Sequence, residues 1–164
     1  YDGSPVTAIS GLDHLEGETV SVLVDGATHP NRTVAAGAIN LQLEGSVVHV
    51  GLAYTATIKT MPVEAGSQDG TAQGKEQRIN NVVLDLFETG AGLWYGPNTT
   101  DMDEYAVRSS SDDMDEPVPL FTGHTDLLAW PGEYEKGTQM VVQHRLPLPC
   151  TVRALLPQMH TYDR

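Results

Sequence analysis

The chain of 164 residues is long enough for one domain that buries about two thirds of the surface of its unfolded chain. Its 22 Asp and Glu residues against 9 Lys and Arg residues give a net charge of −13, which argues against binding nucleic acid by neutralising phosphates. A single cysteine, Cys150, excludes a disulfide within the chain, and no apolar run reaches the roughly 20 residues that span a bilayer.

Glycine and proline content indicates the fold class. Sixteen Gly and ten Pro residues, with few helix-favouring stretches, are typical of proteins built from short strands and many turns. We therefore expect an all-β fold, an antiparallel β-sandwich or barrel with long loops and at most short helical turns. A single β-rich domain is expected over residues 1–164. Because the chain begins at Tyr1 rather than Met, we also expect it to be a fragment of a longer protein.

The first third of the chain predicts short strands between glycine turns. After a lead-in strand at residues 6–9, the sequence Gly-Leu-Asp-His-Leu-Glu-Gly at residues 11–17 predicts a single helical turn anchored by its leucines. Valines at alternate positions predict a strand at residues 18–25.

A β-hairpin is predicted directly after that strand. Asp25-Gly26 is a strong hairpin signal. A proline and an asparagine inside residues 27–32 predict that this segment widens the turn before a return strand at residues 33–35. Another short strand is expected at residues 39–43.

Residues 47–61 have the strongest alternation in the chain. Apolar side chains at the even positions of residues 48–58 predict one long, half-buried strand. Gly51 is the expected place for it to bend or bulge, where it would pass from one sheet to another.

Two extended loops interrupt the remaining strands. Residues 64–78 contain almost nothing to bury, and residues 98–117 are strongly acidic. Long loops of this kind are often functional, and the first would order against a neighbouring copy in an assembly. Between and after the loops, strands are expected at residues 79–88, 93–95, 105–108, 120–122, 127–130, 139–145 and 151–156.

The acidic loop offers oxygen ligands at the close spacing that Ca²⁺ requires. The candidate ligands are Asp101, Asp103, Asp112, Asp113 and Asp115. They do not match the EF-hand register, so the pattern favours a solvated acidic loop over a calcium site. Paired carboxylates would also serve glycoside hydrolysis, which remains a further alternative.

Aromatic residues offer a possible sugar-stacking surface. Trp94, Tyr95 and Trp130 lie in or near predicted turns, where such rings either contact a glycan or pack as a satellite core. The histidines lack zinc-ligand spacing, and no Ser lies in a G-x-S-x-G elbow. The sequence therefore assigns no catalytic and no cofactor-binding residue.

Several stretches together resemble a known group of proteins. They lie at residues 11–17, 20–26, 50–54, 59–64, 70–75, 78–79, 120–123 and 147–157. Their order and spacing resemble the C-terminal part of virion structural proteins of tailed bacteriophages, of the tail nozzle or tail-tube-associated kind. The resemblance covers residues 11–157, with the least similarity in the acidic loop.

The resemblance implies a non-enzymatic part of a phage tail, located in the virion and working as several copies in a ring. Its implied partners are other copies and other tail proteins, without a cofactor, a membrane span or sequence-specific nucleic acid. It gives His14, Leu15, Glu16 and Gly17 a structural role in holding a turn. Two alternatives stay open: a tail-displayed domain that binds a host-surface glycan or receptor, and a polysaccharide hydrolase.

Overall fold

The computed structural model describes residues 1–64, 71–113 and 116–162. Over these residues it is all-β, with three antiparallel sheets and one short 3-10 turn, which confirms the predicted fold class. The chain divides into two compact units. The first comprises Tyr1–Tyr54, Arg108–Pro119 and Arg145–Leu148; the second comprises Thr55–Val107, Leu120–His144 and Pro149–Arg164. The expectation of a single domain stays a prediction.

The first unit contains a four-stranded sheet in the order β1-β4-β2-β3. Its strands are β1 (Asp2–Ser10), β2 (Thr19–Val24), β3 (Ala27–Thr33) and β4 (Ala38–Leu52). The valines that alternate along β2 point into the core of this unit, as the sequence predicts. That core comprises Ile9, Leu12, Val20, Val22, Val34, Ile39, Leu41 and Val48.

The hairpin between β2 and β3 has the two-residue turn that Asp25-Gly26 predicts. Asp25 has a φ of 49° and Gly26 a φ of 85°, as a type I′ turn requires. The prediction of a wide turn at residues 27–32 is wrong, because these residues form β3. Strand β3 lies at the sheet edge, where the missing N–H of Pro30 leaves no ladder bond unmade.

The long strand predicted at residues 48–58 is two strands, so that prediction is wrong in part. Strand β4 ends at Leu52, and β5 (Ala56–Lys59) begins a different sheet. The expected passage between sheets is therefore confirmed, but the break lies at residues 53–55 rather than at Gly51. The alternation of apolar residues wrongly predicts one continuous buried face, because Tyr54 and Ile58 are 82% and 53% exposed.

The second unit contains two sheets. In one, β6 (Glu76–Thr89) pairs with every other strand. Those partners are β9 (Phe121–His124), β10 (Leu128–Ala129), β11 (Glu135–Lys136) and β13 (Thr151–Tyr162). The other sheet has the order β5-β12-β7-β8, in which the new strands are β7 (Leu93–Gly96), β8 (Asp103–Glu104) and β12 (Val141–His144).

These two sheets pack face to face as a sandwich. Buried side chains of β6 contact buried side chains of β7 and β12 in one core. It comprises Ile79, Val82, Leu84, Leu86, Leu93, Tyr95, Trp130, Met140 and Val142. Met140 and Val142, from the strand predicted at residues 139–145, lie in this core, and β6 lies at the centre of its sheet.

Three local predictions fail in the second unit. Residues 105–108 form no strand; β8 precedes them, and the ring of Tyr105 packs edge-on against Phe121 at 5.9 Å. Strand β9 extends through Gly123 to His124, beyond the expected end at residue 122. Strand β13 continues through Pro157 to Tyr162, well beyond the expected end, because an edge strand tolerates proline.

The two predicted loops also have different bounds. The predicted end of the first loop at residue 78 is wrong, because β6 already begins at Glu76. Residues 65–70 of that loop lie outside the described residues, so an ordering contact there stays a prediction. The described part of the acidic loop, residues 98–113 and 116–117, is largely irregular and is interrupted by β8.

Candidate functional site

The acidic loop is held by local turns of the chain. The Asn98 carboxamide oxygen accepts hydrogen bonds from the backbone N–H of Thr100 and of Asp101, both at 2.9 Å. Farther along, the Asp112 carboxylate accepts a 2.7 Å bond from the Ser109 N–H. An Asx turn at Asn98 and the bond from the Ser109 N–H to the Asp112 carboxylate therefore hold two parts of the loop.

The calcium candidates are spread along this loop rather than gathered. Asp101, Asp103 and Asp113 are exposed, and Asp115 lies outside the described residues. Among the described residues, no group of three or more His, Cys, Asp or Glu side chains is placed to hold a metal ion. The described part of the loop has the geometry of a solvated turn segment.

A carboxylate pair for glycoside hydrolysis would require two carboxyl groups that flank the scissile bond, about 5 to 9.5 Å apart. In β8, Asp103 pairs with Tyr95 and Glu104 pairs with Trp94. Consecutive residues of a strand point to opposite faces. These two carboxylates therefore point away from each other.

The aromatic candidates do not form one platform. Tyr95 and Trp130 are each 6% exposed, and their ring centroids lie 6.0 Å apart in the core. Burial, with a smaller contribution from the Asp103 charge, raises the pKa of the Tyr95 hydroxyl. Trp94 is half-buried and, as the neighbour of Tyr95 in β7, points to the opposite face. Two of the three rings are thus core residues.

The best-defined polar constellation of the first unit is a clamp built by Glu16. Its two carboxylate oxygens accept hydrogen bonds from the backbone N–H groups of Ala36 and Gly37, at 2.9 and 2.8 Å. The Gly37 bond, followed by the Ala36 bond, lowers the pKa of the Glu16 carboxyl. Ala36 and Gly37 both have positive φ, 53° and 66°, so the carboxylate holds a tight connection between β3 and β4.

The rest of the Gly-Leu-Asp-His-Leu-Glu-Gly stretch packs around this clamp. The 3-10 turn spans Asp13–Leu15, with Leu12 buried before it, so the predicted helical turn with leucine anchors is confirmed. The Gly17 N–H donates to the Val34 carbonyl at 3.0 Å. His14 is exposed. This stretch is a structural element that joins the start of β2 to the start of β4.

Buried titratable groups of the second unit are also structural. Burial raises the pKa of the Cys150 thiol, which keeps it protonated and a poor nucleophile. Burial lowers the pKa of His144, whose Nε2 lies 3.2 Å from the Ala91 carbonyl oxygen. Both side chains are half-buried, and each has a hydrogen-bond partner.

The surface instead presents apolar side chains and unpaired strand edges. Met61, which follows β5 in the sequence, is 82% exposed, and Ile58 within β5 is 53% exposed. All four residues of β5 are exposed, and β5 hydrogen-bonds to β12 alone among the described strands. Exposed apolar side chains beside a free strand edge are typical of surfaces that contact another protein.

Comparison with known proteins identifies no family for this chain. No protein-family model and no curated protein matches the chain. Within the described ranges, no helix is long and apolar enough to cross a membrane.

Proposed function

We propose that this chain is a non-enzymatic structural component of a bacteriophage tail, where it assembles with other copies of itself or with other tail proteins. Its proposed location is the virion tail. The proposal starts from the resemblance of residues 11–157 to tail nozzle and tail-tube-associated proteins. It is carried by the free edge of β5 and the apolar side chains beside it, which offer a backbone surface for a neighbouring chain.

The Glu16 clamp supports the same proposal. The resemblance gives residues 14–17 a structural role, and Glu16 makes two hydrogen bonds to the backbone at Ala36 and Gly37. Such a clamp engages both carboxylate oxygens and fixes the connection between two strands. One of the stretches that carry the resemblance therefore serves rigidity, which a building block of a large assembly requires.

The location in the tail is tested by removing the chain from the phage. A nonsense mutation in its gene should produce particles without complete tails in negative-stain electron microscopy. Supplying the intact gene in trans should restore both tails and infectivity. Mutant particles with complete, infectious tails would contradict the proposal.

A further inference from the structure

We propose that His29 is a pH-sensitive latch of the first unit: its neutral ring holds residues 41–44 of β4 against β3, and protonation of the ring releases them. The latch goes beyond the proposed function and does not rest on it. It is carried by the two hydrogen bonds of the ring, by the interrupted pairing of β4 and by the position of the ring over the core.

Residues 41–44 of β4 form a bulge without a strand partner. The register of β4 against β1 jumps from a pair at Asn40 to a pair at Gly45, and its pairing with β2 begins only at Val48. A bulge leaves backbone groups outside the ladder, and these need other partners. The Gln42 N–H has such a partner, because it donates to Nε2 of His29 at 3.0 Å.

The hydrogen bonds of the His29 ring fix where its proton lies. Nε2 accepts the bond from the Gln42 N–H, so it carries no proton. Nδ1 lies 2.8 Å from the Pro30 carbonyl oxygen, which can only accept, so Nδ1 carries the proton and donates it. Both bonds form together only in the neutral ring with its proton on Nδ1.

A second proton on the ring does not fit this arrangement. Protonated Nε2 is a donor, and it would face another donor, the Gln42 N–H, at 3.0 Å. The bond to Gln42 is then lost and the two hydrogens repel each other, so the ring and the bulge separate. Histidine commonly changes charge between about pH 5 and pH 8, so mild acid releases the latch.

The ring of His29 lies on the core face of β3. His29 pairs with Val22 of β2, which is fully buried, and directly opposite residues of an antiparallel pair point to the same face. Leu41, which precedes Gln42, is also a core residue and is 8% exposed. Release of the bulge therefore loosens a core side chain as well as a surface segment.

Strands β2 and β4 flank His29, and few of their side chains titrate. Strand β2 contains no titratable side chain. In β4, Glu44 is exposed. His49 pairs with Leu23, the neighbour of Val22 in β2, so it points to the face opposite to His29. His49 therefore titrates in the same range without sharing the face of the latch.

The charged groups of β3 and of its turn keep their charge in mild acid. Arg32 pairs with a buried valine of β2 and shares the core face with His29. The Asp25 carboxylate accepts hydrogen bonds from the N–H groups of Ser46, at 3.1 Å, and Val47, at 2.7 Å. Carboxylates and guanidinium groups stay charged where imidazole titrates. Mild acid thus removes the His29 link to β4 and leaves the Asp25 link in place.

Long-range proton–nitrogen correlation NMR on the full chain measures the protonation of the ring. At about pH 7.5, Nδ1 of His29 should have the chemical shift of a protonated nitrogen, and Nε2 that of a nitrogen with a free lone pair. A ring with its proton on Nε2 at this pH would overturn the proposal, because such a ring cannot accept the bond from Gln42. This measurement needs no variant.

Hydrogen exchange tests the release. Between about pH 7.5 and about pH 5.5, the protection factor of the Gln42 amide should fall about three- to tenfold, which corresponds to one net hydrogen bond. The Val34 amide, which donates to the Glu18 carbonyl at 3.0 Å, is the internal control and should keep its protection. A Gln42 amide whose protection stays constant, or falls only together with that of Val34, would contradict the latch.

Variants assign the response to His29. His29→Gln keeps an acceptor of similar reach that does not titrate, so the Gln42 amide should be equally protected at both pH values. His29→Lys places a permanent donor there and should show the acid level of protection already at about pH 7.5. The matched control His49→Gln should keep the full wild-type response.

Circular dichroism checks that each variant keeps its strand content, and the wild-type measurements decide the proposal without any variant. A folded His29→Gln chain that retains the pH response of the Gln42 amide, or a His49→Gln chain that loses it, would overturn the assignment to His29.

Discussion

Replacing Gly37 with alanine should destabilise the first unit more than the same replacement at Gly17. Both glycines have positive φ, 66° and 82°, where a side chain is strained. A Cβ at Gly37 would also overlap the Asp13 carboxylate, whereas a Cβ at Gly17 would meet no described atom within 4 Å. The two substitutions therefore share the backbone strain and differ in the steric overlap.

The magnitudes follow from these two contributions. Left-handed backbone costs a residue with a Cβ about 1–2 kcal/mol, which is the expected loss of unfolding free energy for Gly17→Ala. The overlapping Asp13 carboxylate is the end of an exposed side chain that can change rotamer, which adds about 0.5–1.5 kcal/mol, so Gly37→Ala should cost about 1.5–3.5 kcal/mol. Asp13→Ala removes the overlapping carboxylate, and the double variant Asp13→Ala/Gly37→Ala should return close to the Gly17→Ala value.

The assay must report on the first unit. Both tryptophans, Trp94 and Trp130, lie in the second unit, so their fluorescence does not follow the first selectively. Native-state hydrogen exchange at the amides of Val20 and Val22, both fully buried in β2, gives the local free energy of opening. Equal losses in Gly17→Ala and Gly37→Ala, or no recovery in the double variant, would refute the packing role of this turn.

Three further predictions concern the second unit. Leu84→Ala should lower the unfolding free energy by about 2–5 kcal/mol in urea titrations followed by tryptophan fluorescence, because this side chain is 0% exposed. Leu127→Ala, at a 60% exposed site, should change it by less than about 0.5 kcal/mol, and equal effects would contradict the assigned core. Gly96→Ala would drive a Cβ into the Asp101 carbonyl, so cross-strand nuclear Overhauser effects between β7 and β8 should disappear; their persistence would show that the close approach is not required. Burial lowers the folded pKa of His144 below its unfolded value of about 6.5, so stability should fall as pH drops from that value toward the folded pKa. His144→Gln should flatten this slope, and an unchanged slope would assign it to other groups.

The sequence predicts local structure well where a residue type has one physical use. Asp25-Gly26 specifies a two-residue turn through positive φ, and the alternating valines of β2 specify a buried face. The sequence predicts local structure poorly where the outcome depends on the position of a strand in its sheet. Pro30 reads as a turn residue and Pro157 follows the expected end of its strand, yet both lie in strands whose free edge needs no donor from them.

The candidate site is less predictable than the fold. The sequence favours a core position for Trp130 but leaves a ligand platform open, and the packing of β6 against β7 and β12 places it inside. The Glu16 clamp depends on Ala36 and Gly37, which are distant in sequence, so no local sequence pattern predicts it. The sequence does not predict that β5 lies at a sheet edge. Its alternation predicts a half-buried strand, and exposure at an edge follows only from the strand order.

Immunogold electron microscopy of purified virions tests the central claim most directly. An antibody against this chain should place gold particles on the tail, with none on virions of the nonsense mutant as the control. Virions that carry no gold on their tails, while an antibody against an established tail protein labels them, would contradict the account.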